Sequence, residues 1–173
     1  MINEILSNNI WTFYNFLTDK ECDFFIEKIN KKENIINFTM SGNFKNDKYI
    51  NNELAQSFFY KVKKTLNINI LRANNLIMTG KYTKNNEFGL HTDTGLYFDF
   101  IKKEKSNYTL LIYLNDNFKG GYTTFYDNNL KKTVSIKPKK GMALLFDISL
   151  WHKGCKILKG EKYWVGCEII SNF

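Results

Sequence analysis

The sequence predicts a mainly β fold behind a helical N-terminal layer, and three observations carry that prediction. Two amphipathic segments at helical spacing fall within residues 1–66. From residue 68 onward, short runs rich in β-branched and aromatic residues take over, and Gly, Asn, Asp and the single proline punctuate them. Many short strands at such spacing close into a sandwich or barrel, of which the double-stranded β-helix, or jelly roll, is one solution.

Taken in order, Thr18-Asp19-Lys20-Glu21 has the form of a capping box, and Cys22, Phe25, Ile26 and Ile29 recur at helical spacing. A helix is therefore expected over Asp19–Lys31. A polar segment containing Gly42 follows, and then a second helix is expected over residues 52–66, with Leu54, Phe58, Val62 and Leu66 along one side. The expected strands are residues 68–73, 76–82, 88–93, 108–115, 122–127, 132–137, 142–147 and 162–170, with turns at Gly120-Gly121, residues 127–129, residues 138–141 and Gly160. No repeat, linker or low-complexity tail interrupts this pattern. One domain over residues 1–173 is expected, with a support layer over 1–66 and a β core over 67–173.

Composition narrows the function classes. With 173 residues, 43% of them hydrophobic, and 15 Phe and 10 Tyr, the chain can bury a substantial core. Its start lacks the basic stretch and apolar run of a secretory signal, and no apolar run reaches membrane-span length, so a cytoplasmic protein without a membrane partner is expected. Cys22, Cys155 and Cys167 are odd in number and lack CxxC spacing, which argues for reduced thiols over disulfides or a thiolate zinc site. The net charge of +8 raises a nucleic-acid partner. That reading is not favoured: Arg72 is the only arginine, and the lysines are scattered in short clusters rather than gathered in one stretch.

The chain holds only two histidines. His91 opens the triplet His91-Thr92-Asp93, and His152 lies far downstream beside Trp151. Residues two apart on a strand share a face, about 6.6 Å apart along the chain, so His91 and Asp93 can reach one ion while Thr92 points away. H-x-D alone is a weak signal, and an isolated histidine after an apolar run is more often a core or surface residue. Together, two imidazoles and a carboxylate form the facial triad of non-heme Fe(II) oxygenases, which leaves coordination positions open. Lys153-Gly154 can turn the chain, and the return strand, as a hairpin partner only about 4.8 Å away, would bring Lys162 close to the metal but deeper in the barrel. A lysine there suits a 2-oxo dicarboxylic acid that chelates iron at one end, because the buried far carboxylate needs a counter-charge.

These residues resemble the 2-oxoglutarate and Fe(II)-dependent dioxygenases, in particular their prolyl 4-hydroxylase-like branch. The likeness rests on H-x-D at His91 and Asp93, on His152, and on Lys162 ten residues later. The flanking blocks agree: Lys81-Tyr82, Phe88-Gly89-Leu90-His91, residues 108–115, residues 118–125 and residues 137–146, with Phe16-Leu17-Thr18 at the start of the helical layer. The resemblance implies a cupin-like double-stranded β-helix and an enzyme that uses Fe(II), 2-oxoglutarate and O2, with ascorbate as a candidate accompanying reductant. It implies His91, Asp93 and His152 as catalytic iron ligands and Lys162 on the distal carboxylate of 2-oxoglutarate. Tyr82 and Tyr113 would hydrogen-bond or wall the cosubstrate, and Thr123 or Thr124 would line the pocket. The implied reaction hydroxylates a C–H bond, with a protein or peptide, and proline by analogy, as the expected substrate; the retained Asp93 argues against the halogenase variant. Nucleic acid, a free amino acid and a non-catalytic binding module are the alternatives. Two positions depart from the pattern. Glu168 stands where collagen-type and oxygen-sensing prolyl hydroxylases tend to have tryptophan, and Gly166 where many relatives have arginine.

Overall fold

The computed structural model describes residues 3–7, 9–31 and 45–173. Among the described residues, two helices and two facing antiparallel sheets, with a separate two-stranded pair, build the protein. Helix α1 (Asp19–Lys31) begins at the expected capping box: the Thr18 amide donates to Glu21 Oε2 at 2.7 Å, and the Glu21 amide donates to Thr18 Oγ1 at 3.2 Å. Helix α2 (Asn52–Lys63) is capped by Asn51, whose Oδ1 accepts the Leu54 amide at 2.9 Å. It ends sooner than expected, and Leu66 follows in a turn in which its amide reaches the Val62 carbonyl. The expected polar segment around Gly42 lies outside the described residues.

The strands are β1 (Asn3–Ser7), β2 (Ile10–Phe13), β3 (Lys45–Ile50), β4 (Arg72–Ala73), β5 (Leu76–Tyr82), β6 (Phe88–His91), β7 (Phe98–Asp99), β8 (Glu104–Tyr113), β9 (Lys119–Gly120), β10 (Thr123–Tyr126), β11 (Lys132–Ile136), β12 (Ala143–Asp147), β13 (Trp151–Gly154), β14 (Ile157–Lys159) and β15 (Lys162–Asn172). The large sheet runs β1-β2-β12-β8-β15-β5-β3, with β4 beside β15 and β7 beside β8. The small sheet runs β11-β10-β13-β6, and β9 pairs with β14 apart from both. In the centre, β12-β8-β15-β5 faces β11-β10-β13-β6, and the chain crosses between the two sheets as it proceeds. That is the nested connectivity of a double-stranded β-helix.

Strand alternation divides the apolar residues into two cores. On β15, Tyr163, Val165, Cys167 and Ile169 face the helices, joining Phe16, Phe25, Phe58 and Val62 in the larger core. Between the sheets, Tyr113, Phe125, Ile136, Met142, Leu144 and Phe146 form the second, with Phe125 and Phe146 edge to face at 5.1 Å. All three cysteines are free thiols, and among the described residues no helix is long and apolar enough to cross a membrane.

Several expected elements differ. The N-terminal segment adds β1 and β2, and β3 adds the far edge, so the layer ahead of the core is not helical alone. The strand expected over 68–73 shrinks to β4, since only its end finds a partner in β15. Lys153 and Gly154 do not turn the chain. They continue β13, which sits between β10 and β6.

Gly141 ties the helical layer to the sheet. Its carbonyl accepts the amides of Phe16 and Leu17 at 2.8 and 3.1 Å, its φ is +73°, and an added Cβ would lie 2.3 Å from the Leu17 carbonyl oxygen. Gly141→Ala is expected to lower the unfolding free energy by about 1–3 kcal/mol in a urea titration; an unchanged midpoint would refute this role.

Candidate active site

The chemistry-bearing residues converge on one cavity of about 350 Å³ between the two sheets. His91 ends β6 and His152 lies in β13, and the two are direct cross-strand partners in the small sheet. Their ring centroids stand 4.2 Å apart. Asp93 lies just beyond β6, where its amide donates to the Ile148 carbonyl at 2.9 Å; that bond, rather than strand pairing, turns its side chain inward.

Asp93 Oδ1 is 3.3 Å from His91 Nε2 and 3.8 Å from His152 Nε2, and donor atoms of all three residues lie within 4.8 Å of one another. Two donors each roughly 2.1 Å from a shared ion sit roughly 3 Å apart at a right angle and roughly 4.2 Å apart when opposite. The two carboxylate–imidazole separations fall in that range. The tautomers also suit a metal. His91 Nδ1 is 2.7 Å from the Gly89 carbonyl oxygen and His152 Nδ1 is 2.9 Å from that of Leu150. A carbonyl only accepts, so each Nδ1 carries the proton and each Nε2 presents a lone pair to the centre. Thr109, on β8, donates its hydroxyl to Asp93 Oδ2 at 2.5 Å and leaves Oδ1 facing the imidazoles.

The electrostatics agree with a ligand set. Burial works to raise the Asp93 pKa, but the adjoining His91 ring, the positive charge that His152 takes up when protonated and the Thr109 hydrogen bond outweigh it and hold the carboxyl below its usual range. Burial, opposed by Asp93 and reinforced by His91, lowers the pKa of His152 and keeps its imidazole neutral and able to coordinate. Phe125 and Phe146 pack on the His152 ring at centroid distances of 5.7 and 4.7 Å and Phe88 on His91 at 4.0 Å, fixing the rings in place.

Lys162 enters from the opposite wall. It opens β15 in the large sheet, so it is not the hairpin partner of the His152 strand that the sequence suggested; the link through β14 carries the chain across the barrel first. Its ammonium is buried, donates to the Gly121 carbonyl at 2.7 Å and lies 4.9 Å from the Tyr113 ring centroid and 5.9 Å from that of Tyr82. No carboxylate pairs with it among the described residues, and burial pushes its pKa down to about 7 against a smaller opposing effect of Cys155. Tyr82 is the register partner of Lys162 and lines the cavity. Tyr113 stands behind the cavity wall, its hydroxyl 2.7 Å from Thr123 Oγ1. Of the two threonines, Thr123 lines the cavity, whereas Thr124 contacts Ser135 and Cys155.

A family model described as the 2OG-Fe(II) oxygenase superfamily matches residues 77–167. The chain belongs to the 2OG-Fe(II) oxygenase superfamily. Its relatives lie in the prolyl 4-hydroxylase-like branch. Prolyl 4-hydroxylase 1 of Arabidopsis thaliana is 36% identical across 32% of this chain and 26% of its own, and prolyl 4-hydroxylase 2 of the same plant is 35% identical across 32% and 27%. The matches thus span about a quarter of the length of these curated relatives. Among solved structures, the viral collagen prolyl hydroxylase of Paramecium bursaria Chlorella virus-1, in complex with 2OG, is 25% identical with a TM-score of 0.68, covering 94% of this chain and 96% of that one. The fold is also that of a Trichoplax adhaerens prolyl hydroxylase in complex with a hypoxia inducible factor peptide fragment, at 17% identity and a TM-score of 0.69 over 95% and 84% of the two chains.

This superfamily member also holds cavity residues to which the motif reading gave no site role. Thr109, Trp164 and Glu168 all line the cavity. The signal for them was strand alternation: Thr109 shares its face with Leu111 and Tyr113 on β8, and Trp164 and Glu168 share theirs with Lys162 on β15.

Proposed function

We propose that the chain is an Fe(II)- and 2-oxoglutarate-dependent dioxygenase that hydroxylates a C–H bond of a protein or peptide, releasing succinate and CO2. The observation that carries this reading is the placement of His91, Asp93 and His152 on one wall of a cavity whose opposite wall holds Lys162. His91, Asp93 and His152 would hold the iron, a two-imidazole, one-carboxylate donor set that suits Fe(II). Lys162 binds the distal carboxylate of 2-oxoglutarate, Tyr82 walls the cosubstrate, and Tyr113 supports Lys162 and Thr123 from behind. The bound iron and cosubstrate supply oxidative decarboxylation and oxygen insertion, with ascorbate as accompanying reductant. The protein supplies orientation and a site shielded from water by Phe88, Phe125 and Phe146. Peptide substrates are in keeping with the prolyl hydroxylase relatives, one of which was solved with a peptide fragment.

Purified protein given Fe(II), 2-oxoglutarate and O2 should release succinate even without a substrate, and treated cell extracts should contain peptides that have gained one oxygen atom. Absence of 2-oxoglutarate turnover under these conditions would overturn the reading.

Two further outcomes follow from neighbouring groups. Thr109→Val removes the donor on Asp93 Oδ2 while keeping its shape, and iron affinity measured by competition with a chelator should fall about 10–100-fold. Binding of 2-oxoglutarate should also weaken with rising pH. Lys162, with its pKa lowered to about 7, is mostly charged at pH 6 and mostly neutral at pH 9 in the free protein. A dianionic ligand stabilises the ammonium, so above pH 7 binding must take up a proton, and the Kd should rise about tenfold per pH unit until the pKa of the bound state is passed. Calorimetry in buffers of different ionisation enthalpy should show uptake approaching one proton per ligand at alkaline pH. No uptake would mean that Lys162 is charged before binding.

A further inference from the structure

Glu168 is a buried carboxylate in the wall of the cavity, only 4% exposed. It is the register partner of Thr109, the residue that holds Asp93, and cross-strand neighbours on one face have their Cβ atoms about 4.5–5.5 Å apart. It therefore lies next to the metal-binding carboxylate. Lys162 is six residues earlier on the same face of β15, roughly 20 Å along the strand. The two residues stand at opposite ends: Lys162 where the cosubstrate's far carboxylate goes, Glu168 on the side left for the substrate. Gly166 between Trp164 and Glu168 contributes no side chain.

The contacts of Glu168 show its form. The Leu96 amide donates to both its oxygens at 2.9 Å, the Ser106 hydroxyl donates to Oε2 at 2.5 Å and Asn74 Nδ2 donates to Oε2 at 3.3 Å. The Leu96 amide and Asn74 Nδ2 can only donate and the Ser106 hydroxyl can donate, a set of partners that suits a carboxylate. Among the described residues no lysine or arginine forms an ion pair with it. A glutamine oxygen could accept from the Leu96 amide, the Ser106 hydroxyl and Asn74 Nδ2 and lose only the second half of the shared Leu96 contact, without burying a charge, so holding the segment after Asp93 does not itself explain an anion here. Charge balance adds to this. Ferrous ion, the Asp93 carboxylate, dianionic 2-oxoglutarate and the Lys162 ammonium sum to zero, and the Glu168 charge is left over in the buried wall.

We propose that Glu168 is a specificity-determining residue and that the substrate residue entering this cavity carries a cationic side chain, an ammonium or guanidinium group, rather than a proline ring. This rests on the dioxygenase reading above and narrows its substrate class. A cation beside Glu168 completes the charge balance, and its side chain holds the adjoining C–H groups toward the centre set by His91, Asp93 and His152.

The test is binding to full-length protein loaded with Mn(II) and N-oxalylglycine, an analogue of the cosubstrate that cannot turn over. The probes are pentapeptides of glycine with one central residue: lysine, its neutral counterpart norleucine, arginine, its neutral counterpart citrulline, or proline. At low salt, the lysyl or the arginyl peptide should bind at least about tenfold more tightly than its neutral counterpart and than the prolyl peptide. In Glu168→Gln that ratio should collapse toward one while the affinity for N-oxalylglycine stays within about twofold of wild type. The comparison among peptides on wild-type protein stands even if the variant fails to fold. Equal binding of cationic and neutral peptides, tighter binding of the prolyl peptide, no measurable binding of either cationic peptide, or a preference that survives in Glu168→Gln would each overturn the proposal. Failure to bind N-oxalylglycine at all would instead bring down the dioxygenase reading, and this inference with it.

Discussion

Asp93→Ala is expected to abolish succinate formation and to weaken Fe(II) binding by more than about 100-fold, beyond what loss of a supporting hydrogen bond produces. Asp93 is the only carboxylate in the triad and the atom group that both imidazoles face. Its loss leaves two neutral nitrogens, which cannot neutralise a divalent ion. His152→Ala should do the same, since no other histidine exists to replace it. Neither change should unfold the protein. The contacts of Asp93 with His91, His152 and Thr109 outweigh the cost of burying it, so its removal from the metal-free protein should lower stability only modestly. Chelator competition and thermal melting on the same samples check both halves: weak iron binding with a cooperative melt at a modestly lowered Tm is expected, and wild-type iron affinity in Asp93→Ala would refute the ligand assignment.

Lys162→Met should have the second largest effect. Stranding the far carboxylate of 2-oxoglutarate in a buried site without its cation costs about 3–5 kcal/mol, or roughly two to three and a half orders of magnitude in Kd. The same substitution should stabilise the ligand-free protein. The lysine's pKa of about 7 in the fold lies well below its value of about 10.4 in an unfolded chain, so the unfolded state binds more protons between those values. The resulting penalty is fully present below pH 7 and disappears as pH rises through that window. Lys162→Met should therefore raise unfolding free energy by on the order of a few kcal/mol at pH 6, and by much less at pH 10. Urea titrations at the two pH values measure this. A destabilised variant at pH 6 would mean that Lys162 holds the fold together instead of waiting for a ligand.

The residues proposed to coordinate or neutralise could be picked out of the sequence because they are scarce or spaced by a motif. Two histidines in the whole chain, one in H-x-D, left few arrangements for a triad, and the lysine followed at a fixed interval. The strand pairing around them was not legible. β13 reads as a turn because Lys153-Gly154 has turn composition, yet its backbone pairs on both sides with β10 and β6; such long-range hydrogen bonding overrides local preference. For the same reason Lys162 came from the opposite sheet rather than a neighbouring strand. β1 and β2 were missed because the pair is anchored to the sheet through β2 and β12, a contact between segments more than a hundred residues apart. Helix α1, by contrast, is defined by local chemistry, and its capping box and apolar stripe matched the structure to the residue. Thr109 was not singled out, and Glu168 stood out only as a departure from the family pattern, because their places at the cavity depend on cross-strand register, which no short motif records.

The most direct measurement is calorimetric titration of 2-oxoglutarate into the protein with and without a divalent metal under anaerobic conditions. One 2-oxoglutarate should bind per chain in the presence of Fe(II), much more weakly without metal, and not measurably to Asp93→Ala at the same concentrations. Binding of equal strength with and without metal, or no binding in either case, would contradict a shared site for iron and the diacid between the two sheets.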